Sequence, residues 1–257
     1  MRKLLQINIL LLLIFVGCKK ESTSNTKIDS NVVINMREQL GSNQKTLLLV
    51  CTTEKSYGCS NHGIAYKFNK TNDRIDITFN NIVYSEVCLT SLGPATTVID
   101  LGDLQTGTYK LNVIINRTVI KGELVVTPER YAISLANNTQ LQLPEPVLQR
   151  IPANTIWGTV GYHTTSSAAT AQAAIDAFVQ AGATVRTYSP GKYWYFTIDA
   201  NGQILPPQNH GYWFVKPFIF QYVGDSNQLI TTLQQIKAQY GNALAVTVNT
   251  INGKVLF

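Results

Sequence analysis

Hydrophobic and polar positions follow three different spacings along this chain. The opening stretch, MRKLLQINILLLLIFVG, carries two positive charges and then an almost unbroken apolar run. From about residue 32 to 143 the period is two. Ile75, Ile77 and Phe79 alternate with Asp76, Thr78 and Asn80, and Tyr109, Leu111, Val113 and Ile115 alternate with Lys110, Asn112, Ile114 and Asn116. Tyr131, Ile133 and Leu135 repeat the pattern. Such alternation predicts strands with one face in a core and one in water. Turn-forming residues separate them at Tyr57-Gly58, Asn72-Asp73, Leu92-Gly93-Pro94 and Gln105-Thr106-Gly107. About seven or eight short strands at this spacing predict an all-β sandwich over 32–143.

Three prolines then fall within PEPVLQRIPAN, 144–154. Proline fixes φ and removes a backbone donor, so this tract is expected to link two domains. Beyond it the spacing becomes mixed. Thr155–His163 predicts a strand, and Ala171, Ala174, Ile175 and Phe178 form the apolar stripe of a helix from Ala168 to about Gln180. Thr184–Tyr188, Lys192–Ile198 and Tyr212–Val223 predict strands. Leu229, Leu233, Ile236 and Tyr240 mark a second helix over Asn227–Tyr240, and Ala243–Thr250 a last strand. The order β-α-β-β-α-β over 155–257 predicts a ferredoxin-like α+β domain, with two helices on one sheet face and the other face free.

The opening stretch has the basic start and short apolar core of a signal peptide, ending at residue 17. Its end, Phe15-Val16-Gly17-Cys18, resembles the lipobox of bacterial lipoproteins, with Phe where Leu is usual. The resemblance implies a diacylglyceryl group on the Cys18 sulfur, removal of residues 1–17 and acylation of the new amino terminus. A single acyl chain holds a protein only marginally, whereas two or three make a lasting anchor. Residues 18–31 begin KKESTSNT after the cysteine, a polar composition expected of a flexible tether. The implied location is the cell envelope, at the outer membrane, with the membrane as a partner. A second resemblance lies in Gly107-Thr108-Tyr109 and the alternating strand after it, similar to a segment near the end of immunoglobulin-like modules. There the tyrosine hydroxyl bonds back to a preceding loop, a role that would fall to Tyr109.

Composition narrows the chemistry. Charged residues are only 14% of the chain, and the formal charge of +6 falls to +4 without Arg2 and Lys3. The remaining Lys and Arg are scattered, so nucleic acid is not expected as a partner. Three cysteines come after Cys18. Cys51 ends the apolar run Leu47–Cys51 and is expected as a buried thiol, while Cys59 and Cys88 sit in polar surroundings and are the expected disulfide. Spacing alone leaves the other two pairings open. Cys59 and His62 have a metal-like spacing, but His163 and His210 are distant in sequence and no metal or cofactor is expected.

No serine lies in a nucleophile elbow, Gly158-Thr-Val-Gly161 lacks the third glycine of a dinucleotide loop, and residues 155–257 contain only Asp176, Asp199 and Asp225 as acids. An enzyme is not expected. All three tryptophans, Trp157, Trp194 and Trp213, lie in this second part, amid many tyrosines. With Trp194, Phe196 and Ile198 in the core, Tyr193 and Tyr195 would point to the open sheet face. Tyr193, Tyr195, Trp194, Trp213 and the loop residue His210 are therefore the candidate binding residues, for an envelope protein or a glycan. The alternative is that this aromatic face packs on the β-rich part or on a second copy.

Overall fold

A computed structural model describes residues 26–41, 45–137, 139–208 and 211–252, and the backbone of 255–256. Among the described residues the period-two region forms nine strands and the proline-containing tract after it a tenth: β1 (Val32–Leu40), β2 (Lys45–Tyr57), β3 (Gly63–Lys70), β4 (Arg74–Val83), β5 (Gly93–Asp100), β6 (Gly107–Ile115), β7 (Thr118–Val126), β8 (Arg130–Leu135), β9 (Leu141–Gln142) and β10 (Val147–Gln149). Inward positions alternate as the spacing requires, and every one of these strands contributes to a single core cluster that includes Ile34, Leu49, Ile77, Phe79, Val113 and Tyr131.

The topology departs from an immunoglobulin-like sandwich. All ten strands belong to one curled sheet in the order β10-β8-β7-β6-β4-β3-β5-β2-β1-β9. The departure comes from a parallel pairing of β4 with β6, from Arg74 opposite Lys110 to Phe79 opposite Ile115, which joins what would otherwise be separate sheets. β9 pairs with β1 and β10 with β8, while β10 also lies against β1, so the two ends of the sheet approach each other around the core. Tyr109 still donates to the Gln105 carbonyl at 3.0 Å. That local device serves a different topology here.

Two segments outside the expected strands are built into this unit. Ile28, within the stretch assigned to the tether, is buried in the core, and its carbonyl accepts from Asn116 Nδ2 at 2.6 Å. Tyr57 donates to Asp29 at 3.0 Å; burial, reinforced by that carboxylate, pushes the phenol up to about 12, so it remains a donor at ordinary pH. The proline-containing tract 144–154 carries β10 and leads into a buried polar cluster. Glu38 of β1 is fully buried, and its carboxylate accepts from the Ile151 N–H at 2.9 Å and faces Arg150 Nε at 3.8 Å. Arg150 also donates to the Thr127 carbonyl and lies over the Tyr131 ring, and Lys45 of β2 donates to the Ile151 carbonyl. Burial pushes the Glu38 carboxyl up and the Lys45 ammonium down, while their mutual attraction opposes both shifts.

After residue 154 the elements are β11 (Thr155–Tyr162), α1 (Ala168–Gln180), β12 (Gly191–Tyr193), β13 (Phe196–Ile198), β14 (Phe214–Gln221), α2 (Ser226–Tyr240), β15 (Ala245–Thr250) and β16 (Val255–Leu256). The helices bury the stripes Ala171, Ala174, Ile175, Phe178 and Leu229, Leu233, Ile236 against one face of a sheet ordered β14-β11-β15-β16. Asp225 caps α2 by accepting from the Asn227 N–H. The ferredoxin-like arrangement is not formed. Its second strand is reduced to one bridge between Thr184 and Gln221, and Gly191–Ile198 folds as a separate hairpin. The hairpin leaves the sheet because its side chains find a better partner. Tyr188, Tyr193, Phe196 and Ile198 bury on the helix-free face against Trp157, together with Leu40 and Ile151 of the first unit.

β11 is consequently covered on both faces. Gly158 is required there, since a Cβ would lie 1.8 Å from the Thr247 carbonyl oxygen and 2.7 Å from the Phe218 ring.

Removing the Glu38 carboxylate should be costly, because Lys45 and Arg150 then remain near each other without a counter-charge. Glu38→Ala is expected to lower unfolding free energy by about 3–5 kcal/mol. Glu38→Gln, which keeps an acceptor for Ile151, should recover part of the loss in urea denaturation.

Candidate functional site in the helix-free sheet face

The hairpin β12–β13 and the chain 204–208 stand over the sheet face opposite the helices without filling it. Between them is an open cleft of about 480 Å³. Its floor is Trp157, Thr159, Pro217 and Asn249 of the sheet, and its walls are Trp194 and Tyr195 on one side and Pro206, Pro207 and Gln208 on the other. A second recess of about 320 Å³ shares Trp157, Tyr195 and Asn249 and continues onto Arg37 and Gln39 of β1. The two hollows run along the seam between the barrel-like sheet and the C-terminal unit.

The sequence builds these walls through a tight turn. Tyr193 pairs with Phe196, which puts Trp194 and Tyr195 at the hairpin tip rather than on alternate faces of a continuous strand. Tyr193 turns inward, stacks on Phe196 with centroids 4.7 Å apart, and donates to the Ser189 carbonyl at 3.1 Å. Burial raises its phenol pKa. Trp194 packs on the first unit's core, with the Arg37 guanidinium 5.3 Å from its ring centroid. Tyr195 is 40% exposed and leans on Trp157 at 5.6 Å. Trp157 in turn contacts Phe196 at 5.5 Å.

Of the residues singled out in the sequence, Trp194 and Tyr195 thus meet at the cleft. Tyr193 lines it but is mostly committed to the core beneath. Trp213 is 81% exposed and does not line it. Cys18 and His210 lie outside the described residues. His163 is exposed beside Tyr212, with ring centroids 5.3 Å apart. Cys59 and Cys88 are joined by a disulfide with Cα atoms 5.3 Å apart, and Cys51 is a buried free thiol whose pKa burial raises.

Residue spacing does not single out Trp157 as a contributor, nor Asn249, Lys192, Arg37 and the Pro206-Pro207 wall. The adjacent prolines within an otherwise irregular stretch are the one local signal. Asn249 and Arg37 come from strands whose pairing brings them to the seam, which local spacing does not reveal.

Chemically the cleft offers aromatic faces beside amides and a cation. Asn249 Nδ2 donates to the Trp157 carbonyl at 3.4 Å, and Lys192 sits at the rim 3.8 Å from Glu145. Among its described lining residues none is Asp, Glu, His or Cys. No group of three or more potential metal ligands occurs among the described residues. No protein-family model matches the chain, and no curated protein or solved structure matches it either.

The two central rings should separate in their effects on stability. Trp157→Ala, at a buried position in contact with two other rings, is expected to cost about 3–5 kcal/mol in chemical denaturation. Tyr195→Ala at the half-open tip should cost under about 1 kcal/mol.

Proposed function

We propose that this chain is a cell-envelope lipoprotein, held to the membrane through Cys18, that binds a glycan in the aromatic cleft without turning it over. The observation that carries the binding reading is the cleft itself: a concave space of about 480 Å³ walled by Trp194, Tyr195 and prolines, with the Gln208 and Asn249 amides among its lining. Concave, largely preformed sites of a few hundred Å³ suit small ligands better than flat protein surfaces. Aromatic rings supply apolar area at low entropic cost and match the C–H faces of sugars, while amides supply directional hydrogen bonds. Hydrolysis of a glycosidic bond generally uses a pair of carboxyl groups, and the described lining supplies none.

A second reading, docking of an envelope protein, is favoured by Trp213, whose 81% exposure places a large ring in water away from the cleft. Exposed aromatics of this kind are common anchors of protein interfaces.

A soluble form beginning at Lys19 keeps every described residue and allows the readings to be separated. Trp157 and Trp194 border the cleft, so titration with a panel of envelope and dietary polysaccharides should give a saturable, salt-insensitive change in tryptophan fluorescence. The change should persist in Trp213→Phe. Tyr195→Ala should weaken binding about tenfold, equivalent to about 1.4 kcal/mol. A flat response across the panel, with crosslinking of a polypeptide that Trp213→Ala abolishes, would favour the second reading instead.

A further inference from the structure

The loop between β4 and β5 exposes three large apolar side chains: Val87 at 72%, Leu89 at 56% and Leu92 at 79%. Between Ser85 and Leu92 the only charge is Glu86. The barrel core does not use these side chains, since none of them joins it. We propose that this loop is a lipid-contacting surface, which rests the first unit against the same membrane that holds Cys18. The proposal rests on the reading of Cys18 as a membrane anchor.

The loop is tied to the connection between β2 and β3, and the backbone beside its apolar side chains at Val87 and Leu89 bonds within the protein. The disulfide fixes Cys88 to Cys59. Asn61 donates through Nδ2 to the Val87 carbonyl at 2.6 Å and to Ser85 Oγ at 3.0 Å, while its Oδ1 accepts from the Leu89 N–H at 3.3 Å. The Ser85 N–H donates to Nδ1 of buried His62 at 3.3 Å, and Ser91 donates to Ser60 at 2.6 Å. Backbone groups that enter an apolar medium must have partners, because water is no longer there to supply them. Asn61 provides such partners on both sides of the disulfide.

The position of the chain's exit points to the same occupant. The Ile82 N–H donates to the Thr26 carbonyl at 2.8 Å, so residue 26 lies on the end of β4 that leads into the loop. Residues 18–25 span at most about 28 Å even when fully extended. An anchor at Cys18 therefore keeps this end of the barrel near the bilayer. Acyl anchoring is strengthened by any further apolar contact with the membrane, and a loop already tied by a disulfide makes that contact at a reduced ordering cost.

The test uses the full lipidated chain, purified in detergent and reconstituted into phosphatidylethanolamine–phosphatidylglycerol vesicles that contain a phospholipid with a photoreactive acyl chain. After illumination, peptide mass spectrometry should find lipid adducts concentrated on 85–92. Replacing Val87, Leu89 and Leu92 together by Ser should reduce those adducts to background, while the chain still floats with the vesicles through Cys18. A chain whose Cys18 carries lipid but whose loop gains no adduct overturns the loop proposal and leaves the anchor standing. Absence of lipid on Cys18 overturns the anchoring reading and the loop proposal together. A loop that crosslinks to a polypeptide in intact cells and gains no acyl adduct has a protein as its occupant, which also overturns the proposal.

Discussion

A carboxylate removed from water must find its charge and hydrogen-bond partners inside the protein, and Glu38 does so by gathering three separate pieces of chain. Its own strand β1, the start of β2 through Lys45, and the Arg150-Ile151 dipeptide converge on one point. Arg150 and Ile151 directly follow β10, the last strand of the ten-stranded sheet in the chain, and only 152–154 separate them from β11. The polar cluster therefore fixes where the second unit begins. Ile151 belongs to the aromatic cluster around Trp157, so the ion-paired cluster and the hydrophobic seam are continuous. The hollows along that seam inherit their shape from both.

This dependence explains which parts of the architecture could be read locally. Alternation identifies inward residues such as Ile75, Ile77 and Phe79, because burial on one face of a strand has period two whatever the neighbouring strand is. Helical stripes are equally local, and Phe178 and Leu233 are buried as their spacing requires. Strand partners are not local. Nothing in the alternation of β4 or β6 states that they pair in parallel, and that one pairing turns a presumed sandwich into a single curled sheet. Tyr109 shows the same limit: its bond to Gln105 spans four residues and is compatible with more than one topology.

The candidate site was legible in kind and misplaced in detail. The concentration of aromatics after residue 155 is visible in the sequence, and two of the residues it picks out wall the cleft. As one strand, which its composition suggests, Lys192–Ile198 would point Tyr193 outward; the chain instead turns at Trp194-Tyr195 and Tyr193 faces inward. Aromatic residues favour strands as a class, and here that preference conceals a two-residue turn. The gain that decides the geometry is non-local, since the hairpin buries its rings against Trp157, Leu40 and Ile151, which lie far from it in sequence. The same packing covers the sheet face that a ferredoxin-like domain would leave free.

The burial of Ile28 has a mechanical meaning. This side chain sits in the core two residues after the Thr26–Ile82 bridge, with its carbonyl held by Asn116. Tension drawn along the chain from residue 26 would thus be carried within two residues to β4 and to the turn between β6 and β7, which are central in the sheet. Such a force would act on the core itself before any edge strand could peel away. The resistance of the whole barrel-like unit to pulling would then depend on how firmly one isoleucine is seated.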